Sequence, residues 1–218
     1  WYSSGKSKNF VTCGFPLPGF EVEVRGSDGQ ALPERHVGTL FVRGPSVMSG
    51  YFGEEALTRE VLSPEGWLNT GDLAYIVDGS LIITGRQKDL IIINGRNIWP
   101  QDLEYIAESQ PEIRTGDASA FSVTAPDGED KAVLVIECRE SNIVKRTELS
   151  TRIQALIRQD LGIECFIELV VRNTLPRTTS GKLSRSGAKN DFLQRVADGK
   201  TEQPGDSDDF YELRRRAG

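Results

Sequence analysis

Residues 85–93 read GRQKDLIII, and this stretch separates two parts of the sequence that differ in pattern. Before it, residues 1–84 alternate apolar and polar positions between turn-forming glycines, which predicts β structure. After it, apolar residues recur at both strand and helix spacing, which is typical of a small α+β domain. We therefore predict an α+β chain with a β-rich part over 1–84, a hinge over 85–90, an α+β domain over 91–196 and a polar tail or linker over 197–218.

The β-rich part has clear local signals. The predicted strands are 20–24, 38–44, 73–77 and 81–84. The last two flank Asp78-Gly79-Ser80, which is a strong hairpin signal. A short helix is predicted between Glu54 and Leu62.

The second part alternates strands with helices. The predicted strands are 90–93, 118–124, 131–138 and 165–171, with residues 126–128 as a turn. A helix begins near Pro100, because proline suits the first helical turn. A second helix carries an apolar stripe from Leu149 to Leu161 and ends at Gly162 as its C-cap. A third helix is predicted over 187–196.

Composition excludes several classes of protein. Hydrophobic residues make up 38% of the chain, and no apolar run approaches the roughly 20 residues that a membrane helix needs. The net charge of −6 argues against nucleic-acid binding. His36 is the only histidine, so neither a zinc site nor a Ser-His or Cys-His hydrolase is expected. Three widely spaced cysteines fit a reducing compartment, and we expect a cytoplasmic protein.

A basic run breaks the overall acidic balance. Residues 169–190 contain no acidic residue, and they carry Arg172, Arg177, Lys182, Arg185 and Lys189. Such a run is either a solvated face or a local anion site. Its centre, 176–182, reads PRTTSGK and does not fit a phosphate-binding P-loop at either end. It is either a Ser/Thr/Gly turn that presents one lysine to an anion or an ordinary surface loop.

Two further segments carry polar groups beside glycines. Residues 67–72 read WLNTGD, and Asp72 can accept hydrogen bonds from a vicinal diol such as a ribose. The alternative is an aspartate that closes a β-turn. Gly85-Arg86 is by itself a charged segment between two domains.

Together, in this order and spacing, these segments resemble the adenylate-forming superfamily of acyl-CoA synthetases, nonribosomal adenylation domains and luciferases. The resemblance runs from about Gly14 to Leu193. It is carried by the motifs at 38–52, 70–72, 85–86 and 176–182. The family's main phosphate loop, acyl pocket and nucleotide-base motif lie upstream of these motifs, so we expect the chain alone to be inactive.

The resemblance implies roles for four residues. Asp72 would bind the ribose hydroxyls of ATP, and Arg86 would lie at the nucleotide near the domain junction. Lys88 matches the hinge about which the family's small domain rotates. Lys182 would bridge the substrate carboxylate and the α-phosphate, where an ammonium group stabilises growing negative charge. ATP, with Mg²⁺, is therefore the implied cosubstrate, and the loop 178–182 is expected to be mobile.

One departure bears on the acyl acceptor. Relatives that use coenzyme A often carry a lysine six residues after the arginine of the Gly-Arg motif, where this chain has Ile92. The stretch 85–104 instead resembles fatty acyl-AMP ligases, which pass the acyl group to an acyl carrier protein, often of a polyketide or nonribosomal synthase. The alternatives are an Ile92 that is simply a core strand residue, an acyl-CoA synthetase, or a module that mainly binds a carrier protein.

Overall fold

The computed structural model describes residues 10–125, 128–199 and 201. The chain divides into two compact units, Trp1–Lys88 and Asp89–Gly218. The boundary falls inside the range 85–90, whose role as a hinge stays a prediction. The mixture of helices and sheets agrees with the predicted α+β class.

The first unit is built on an antiparallel sheet of four strands in the order β1-β2-β3-β4. Its elements are β1 (Glu21–Arg25), β2 (Gly38–Arg43), α1 (Glu55–Val61), β3 (Leu68–Val77) and β4 (Ser80–Arg86). Asp78 and Gly79 join β3 to β4 with φ angles of 49° and 75°. Positive φ at both central residues suits the twist of a two-residue hairpin, as the sequence predicts.

The second unit holds the remaining elements. They are β5 (Ile91–Ile93), β6 (Arg96–Ile98), α2 (Pro100–Glu108), β7 (Ala118–Thr124), β8 (Asp130–Glu137), α3 (Ile143–Leu161), β9 (Cys165–Val170) and α4 (Arg185–Ala197). The strands β5 and β6 form a separate hairpin. The strands β7 and β8 are antiparallel, and β9 returns parallel to β8 after the crossover through α3.

The three-stranded sheet is covered on both faces. Leu134 and Ile136 of β8 share one core with residues of α2 and α3. Val133 and Val135 share the other core with Phe192 of α4. Successive side chains of a strand point to opposite faces, so a strand buried on both sides has an unbroken apolar run.

The helix boundaries follow from their caps. Asn142 accepts hydrogen bonds from the backbone N–H groups of Val144 and Lys145, which begins α3. Gly162 ends α3 with a φ of 65°, which confirms the predicted C-cap. Ser184 accepts from the N–H of Gly187, so α4 begins two residues earlier than predicted.

The structure adds one strand to the prediction and describes only part of the predicted tail. The hairpin strand β6 is not predicted, although Asn94 and Gly95 turn the chain with φ angles of 50° and 72°. Of the tail predicted over 197–218, Ala197 closes α4, and residues 200 and 202–218 lie outside the described residues. Pro126 and Asp127 of the predicted turn lie outside them as well. Within the described ranges, no helix has the length and apolar character needed to cross a membrane.

Candidate functional site

Lys182 lies on a tight hairpin loop, which we call the Lys182 hairpin (residues 176–184). The N–H of Thr178 donates to the carbonyl of Lys182 at 2.8 Å, and the N–H of Gly181 donates to the carbonyl of Thr178 at 2.8 Å. Gly181 has a φ of +80°, in the left-handed region that glycine adopts without strain. This pattern is that of a three-residue hairpin loop closed by a left-handed residue.

The side chain of Lys182 is exposed. No hydrogen bond or ion pair holds its ammonium group within the part of the chain that the structure describes. An unpaired ammonium on a narrow loop is free to meet an anion. The predicted mobility of this loop stays a prediction.

Arg177 joins the base of the Lys182 hairpin to one end of the three-stranded sheet formed by β7, β8 and β9. Its Nη2 donates to the carbonyl of Gly116 at 2.9 Å and to Oδ1 of Asp117 at 3.2 Å. The same nitrogen lies 3.8 Å from a carboxylate oxygen of Glu137. The carboxylates of Asp117 and Glu137 are both buried, so each needs a partner charge or hydrogen bond.

Arg185 holds the other end of the loop, where α4 begins. Two of its nitrogens donate to Glu104 of α2 at 2.7 and 2.9 Å, and a third donates to Asp89 at 2.8 Å. Burial opposes the charge of this guanidinium, but the hydrogen bonds to Glu104 and Asp89 outweigh it and raise the pKa of Arg185. Asp89 is the first residue of the second unit.

These pairs change the interpretation of the basic run. Arg177 remains partly exposed and Arg185 is half-buried, but each is already paired with carboxylates of this chain and so is less available to an external anion. Of these three central cations, Lys182 is the one left exposed and unpaired among the described residues.

In the first unit, Asp72 lies in β3 and does not close an ordinary turn. The register of β2 and β3 shifts between Thr39 and Phe41, so the motif 70–72 bulges out of the ladder. Gly71 has a φ of +72°, and the N–H of Asp72 donates to Oγ1 of Thr70 at 3.1 Å. The bulge therefore fixes the direction of the Asp72 side chain.

Arg86 faces Asp72 across the β3–β4 pair. Its Nε donates to Oδ1 of Asp72 at 3.1 Å. The Asp72 side chain is 24% exposed and that of Arg86 is 71% exposed. The structure thus brings together two residues that the sequence places fourteen positions apart, and it leaves the guanidinium mostly in solvent.

Lys88 lies in the short 3₁₀ helix Gln87–Asp89 and is exposed. It is the last residue of the first unit.

Ile92 is not a core residue, so the alternative of a buried strand position is wrong. Its side chain is 51% exposed, whereas its neighbours Ile91 and Ile93 are 0% and 9% exposed. The alternation follows from the pleat of β5, which turns only Ile92 outwards. An apolar side chain therefore occupies an open position where relatives that use coenzyme A often carry a lysine.

The acidic partners of Arg177 and Arg185 are the part of this region that the sequence does not predict. One signal was available, because Glu137 directly follows the apolar run 132–136 and a carboxylate there has to be buried with a partner. Among the described residues, no group of three or more histidine, cysteine or acidic side chains is arranged to hold a metal ion.

Comparison with known proteins identifies the family. Residues 2–52 match the model for the AMP-binding enzyme, and residues 95–187 match that for the AMP-binding enzyme C-terminal domain. Together with the α+β fold, these matches show that the chain belongs to the adenylate-forming family of AMP-binding enzymes.

Individual relatives agree with this assignment. A protein of Caulobacter vibrioides, provisionally named an acyl-CoA synthetase, is 48% identical over 87% of this chain and 33% of its own length. A medium-chain-fatty-acid–[acyl-carrier-protein] ligase of Moorena producens is 32% identical over 86% of this chain and 34% of its own. A solved structure from a study of fatty acyl-adenylate ligases of E. coli and L. pneumophila is 43% identical, with a TM-score of 0.78 over 90% of this chain and 35% of that one. The chain thus spans about a third of the length of these relatives.

Proposed function

We propose that this chain is the C-terminal part of a fatty acyl-AMP ligase, which activates a fatty acid with ATP and passes the acyl group to an acyl carrier protein. Lys182 is the main catalytic side chain. The observation that carries the proposal is the exposed ammonium of Lys182, which has no partner among the residues that the structure describes, on a hairpin whose two ends are held by Arg177 and Arg185.

The first step places two anions against each other. A carboxylate oxygen of the fatty acid attacks the α-phosphorus of ATP, which forms the acyl-phosphate bond. The bond from the α-phosphorus to the bridging oxygen breaks, and pyrophosphate leaves with the electron pair. The Lys182 ammonium lowers the cost of the approach and stabilises the negative charge that grows on the phosphoryl oxygens.

Asp72 and Arg86 serve the nucleotide in this proposal. The Asp72 carboxylate accepts hydrogen bonds from the ribose hydroxyls, which are donors that a carboxylate binds well. Arg86 holds the Asp72 carboxylate in position through its hydrogen bond of 3.1 Å. ATP enters with Mg²⁺, as is usual for nucleoside triphosphates.

Lys88 is the proposed hinge. The boundary between the two compact units falls in the chain between Lys88 and Asp89, within the short 3₁₀ turn Gln87–Asp89. A few residues at the end of an element are sufficient to absorb the backbone change of a domain rotation.

Ile92 supports the carrier-protein acceptor. Its exposed position on β5 carries no charge that could assist a coenzyme A thiol there. The similarity to the fatty acid–carrier protein ligase of Moorena producens supports the same acceptor. In the second step, the phosphopantetheine thiol gives up its proton and its sulfur attacks the acyl carbon. The bond from that carbon to the phosphate oxygen breaks, a thioester forms, and AMP leaves with the electron pair. The reducing cytoplasm is the proposed location. It suits the free thiols of Cys13, Cys138 and Cys165, which form no disulfide among the described residues.

The test uses the full-length protein that carries these residues. It is incubated with a medium- or long-chain fatty acid and ATP, and either coenzyme A or a holo acyl carrier protein is added. We expect acyl-adenylate in both mixtures and acyl transfer only to the carrier protein. Acyl-CoA formed at a comparable rate would refute the carrier-protein assignment.

An acyl-CoA synthetase is the second candidate, and the 48% identity to the Caulobacter vibrioides protein favours it. In that case a group other than residue 92 assists the thioester step, and the coenzyme A mixture yields acyl-CoA. A third candidate, a unit that mainly docks a carrier protein, requires that Lys182→Ala leave acyl-adenylate formation unchanged.

A further inference from the structure

We propose that Arg177 is a positioning residue, which fixes the Lys182 hairpin by docking it on the buried carboxylates of Asp117 and Glu137. The role rests on the proposed function, because it acts through Lys182. The contacts that support it are nevertheless independent of any assigned activity.

The two carboxylates meet at one end of the three-stranded sheet. Glu137 ends β8, and its N–H donates to the carbonyl of Asp117 at 2.8 Å, just before β7 begins. The residues Glu137 and Asp117 are 3% and 7% exposed. An isolated buried carboxylate is costly, so this end of the sheet needs hydrogen-bond donors or a cation.

Arg177 supplies that cation, and backbone donors complete the site. Its Nη2 reaches Asp117 at 3.2 Å and Glu137 at 3.8 Å. Glu137 also accepts the N–H of Leu175 at 2.8 Å. The chain that leads into the Lys182 hairpin is thereby tied twice to β8, once through its backbone and once through the guanidinium.

The same guanidinium also contacts the hairpin itself. Its Nη1 donates to the carbonyl of Gly181 at 3.4 Å, and Gly181 directly precedes Lys182. The guanidinium is planar and rigid, so one group connects the sheet end with the residue next to Lys182 in a set geometry. A lysine at position 177 would supply the charge without this fork.

Helix α4 does not depend on Arg177 for its own attachment. Its residues Ala188, Phe192 and Val196 are buried in the core beneath it, and Arg185 binds Glu104 separately. Removing the Arg177 side chain should therefore loosen the hairpin while α4 stays in place. This separation makes a positioning role distinguishable from a general structural one.

The experiment compares Arg177→Met, Arg177→Lys and the control Arg172→Met in the full-length protein. Arg172 belongs to the same basic run but is exposed, without an ion pair among the described residues. The readouts are kcat and the KM for ATP in acyl-adenylate formation, and hydrogen exchange of the amides of Thr178 and Gly181. Exchange in α4, at Ala188 and Phe192, is the internal reference.

We expect Arg177→Met to lower kcat by roughly 10- to 100-fold, because small displacements of a catalytic group have costs of this order. The KM for ATP should change little. The amides of Thr178 and Gly181 should exchange about 10-fold faster or more, since their bonds open locally, while exchange in α4 is unchanged. Arg177→Lys should recover only part of kcat, and Arg172→Met should behave as the parent protein.

Parental kcat in Arg177→Met would overturn the proposal, and so would accelerated exchange in α4 to the same extent as in the hairpin. Lys182→Ala separates this proposal from the proposed function. If Lys182→Ala retains acyl-adenylate formation, the proposed function fails. The exchange of Thr178 and Gly181 in Arg177→Met would still decide whether Arg177 holds the hairpin.

Discussion

Oδ1 of Asp72 accepts a hydrogen bond of 3.1 Å from Nε of Arg86, and the two residues are directly paired in the register of β3 and β4. Asp72 is held on its other side by the bulge at Thr70 and Gly71. Two residues expected to meet the same nucleotide are therefore fixed relative to each other by one sheet.

The Asp72 carboxylate provides the first prediction. Asp72→Ala should raise the KM for ATP about 10- to 100-fold, because a hydrogen bond to a charged group contributes about 1.5–3 kcal/mol. The effect should fall on KM more than on kcat, as is usual when binding is lost equally in ground and transition states. Steady-state kinetics of acyl-adenylate formation by the full-length protein measure both constants.

The control for Asp72 is Glu60→Ala, because Glu60 is an exposed acid on α1 of the same unit. It should leave both constants unchanged. A KM for ATP in Asp72→Ala that matches this control would show that Asp72 does not bind the nucleotide.

The turn at Gly181 provides the second prediction. A Cβ at this position would meet no atom within 4 Å, so space does not restrict it, whereas the φ of +80° does. Gly181→Ala should therefore destabilise the hairpin by about 1–2 kcal/mol through backbone strain alone. Gly181→Asn should be milder, because asparagine tolerates the left-handed region better.

Two measurements test the role of the turn at Gly181, namely the hydrogen exchange of the Thr178 amide and the rate of acyl-adenylate formation. In both, Gly181→Ala should depart further from the parent protein than Gly181→Asn. An alanine variant with parental exchange would contradict the assigned turn.

Neighbouring isoleucines on β5 provide the third prediction. Ile92→Lys should change the free energy of unfolding by less than about 0.5 kcal/mol, because residue 92 faces outwards. Ile91→Lys, one position away, should lower the free energy of unfolding by about 3 kcal/mol or more, because the substitution buries an unpaired charge. Denaturant unfolding measures both, and equal losses would mean that β5 is turned differently.

Glu108 provides a prediction about pH. Burial raises the pKa of Glu108 above its ordinary value, despite the 2.7 Å hydrogen bond from the N–H of Gly116. A carboxyl with a raised folded pKa stabilises the fold at low pH, and this contribution is lost as the pH rises through the raised value. Glu108→Gln keeps an acceptor oxygen for Gly116 without the charge, so it should be as stable as the parent or more stable at pH 7.

That advantage should disappear as the pH falls from about 7 to about 4. Glu140→Gln is the matched control, because the N–H of Asn142 lowers the pKa of Glu140. The stabilisation from Glu140 is present above its ordinary pKa and is lost as the pH falls, so this variant should show the opposite trend. Urea unfolding at both pH values measures the stability of each variant relative to the parent protein. If this difference changed in the same direction with pH in both variants, the assigned pKa shifts of Glu108 and Glu140 would be contradicted.

The local elements could be predicted because their signals are local. The hairpin around Asp78 and Gly79 and the end of α3 at Gly162 both depend on backbone conformations that particular residues favour. The strand β6 was missed because Arg96–Ile98 has three residues, only one of them buried, which is too short for a strand pattern.

The surroundings of Lys182 could not be predicted in the same way. Arg177 binds Gly116 and Asp117, 61 and 60 positions away, and the bridge of Arg185 to Asp89 spans 96 positions. These pairs depend on how β7, β8 and α4 pack, which local patterns do not determine. The motifs predict which residues belong to the candidate site. The structure adds that, among the described residues, Lys182 is unpaired while Arg177 and Arg185 are paired.

The central claim is that Lys182 is the catalytic lysine of acyl-adenylate formation. The direct measurement is the rate of fatty-acid-dependent exchange between pyrophosphate and ATP by the full-length protein, for Lys182→Ala and for the control Lys189→Ala. Lys189 belongs to the same basic run on α4. We predict a loss of about 10²–10³-fold for Lys182→Ala, typical of removing one transition-state donor, and no loss for Lys189→Ala. Exchange by Lys182→Ala at the parental rate would contradict the account.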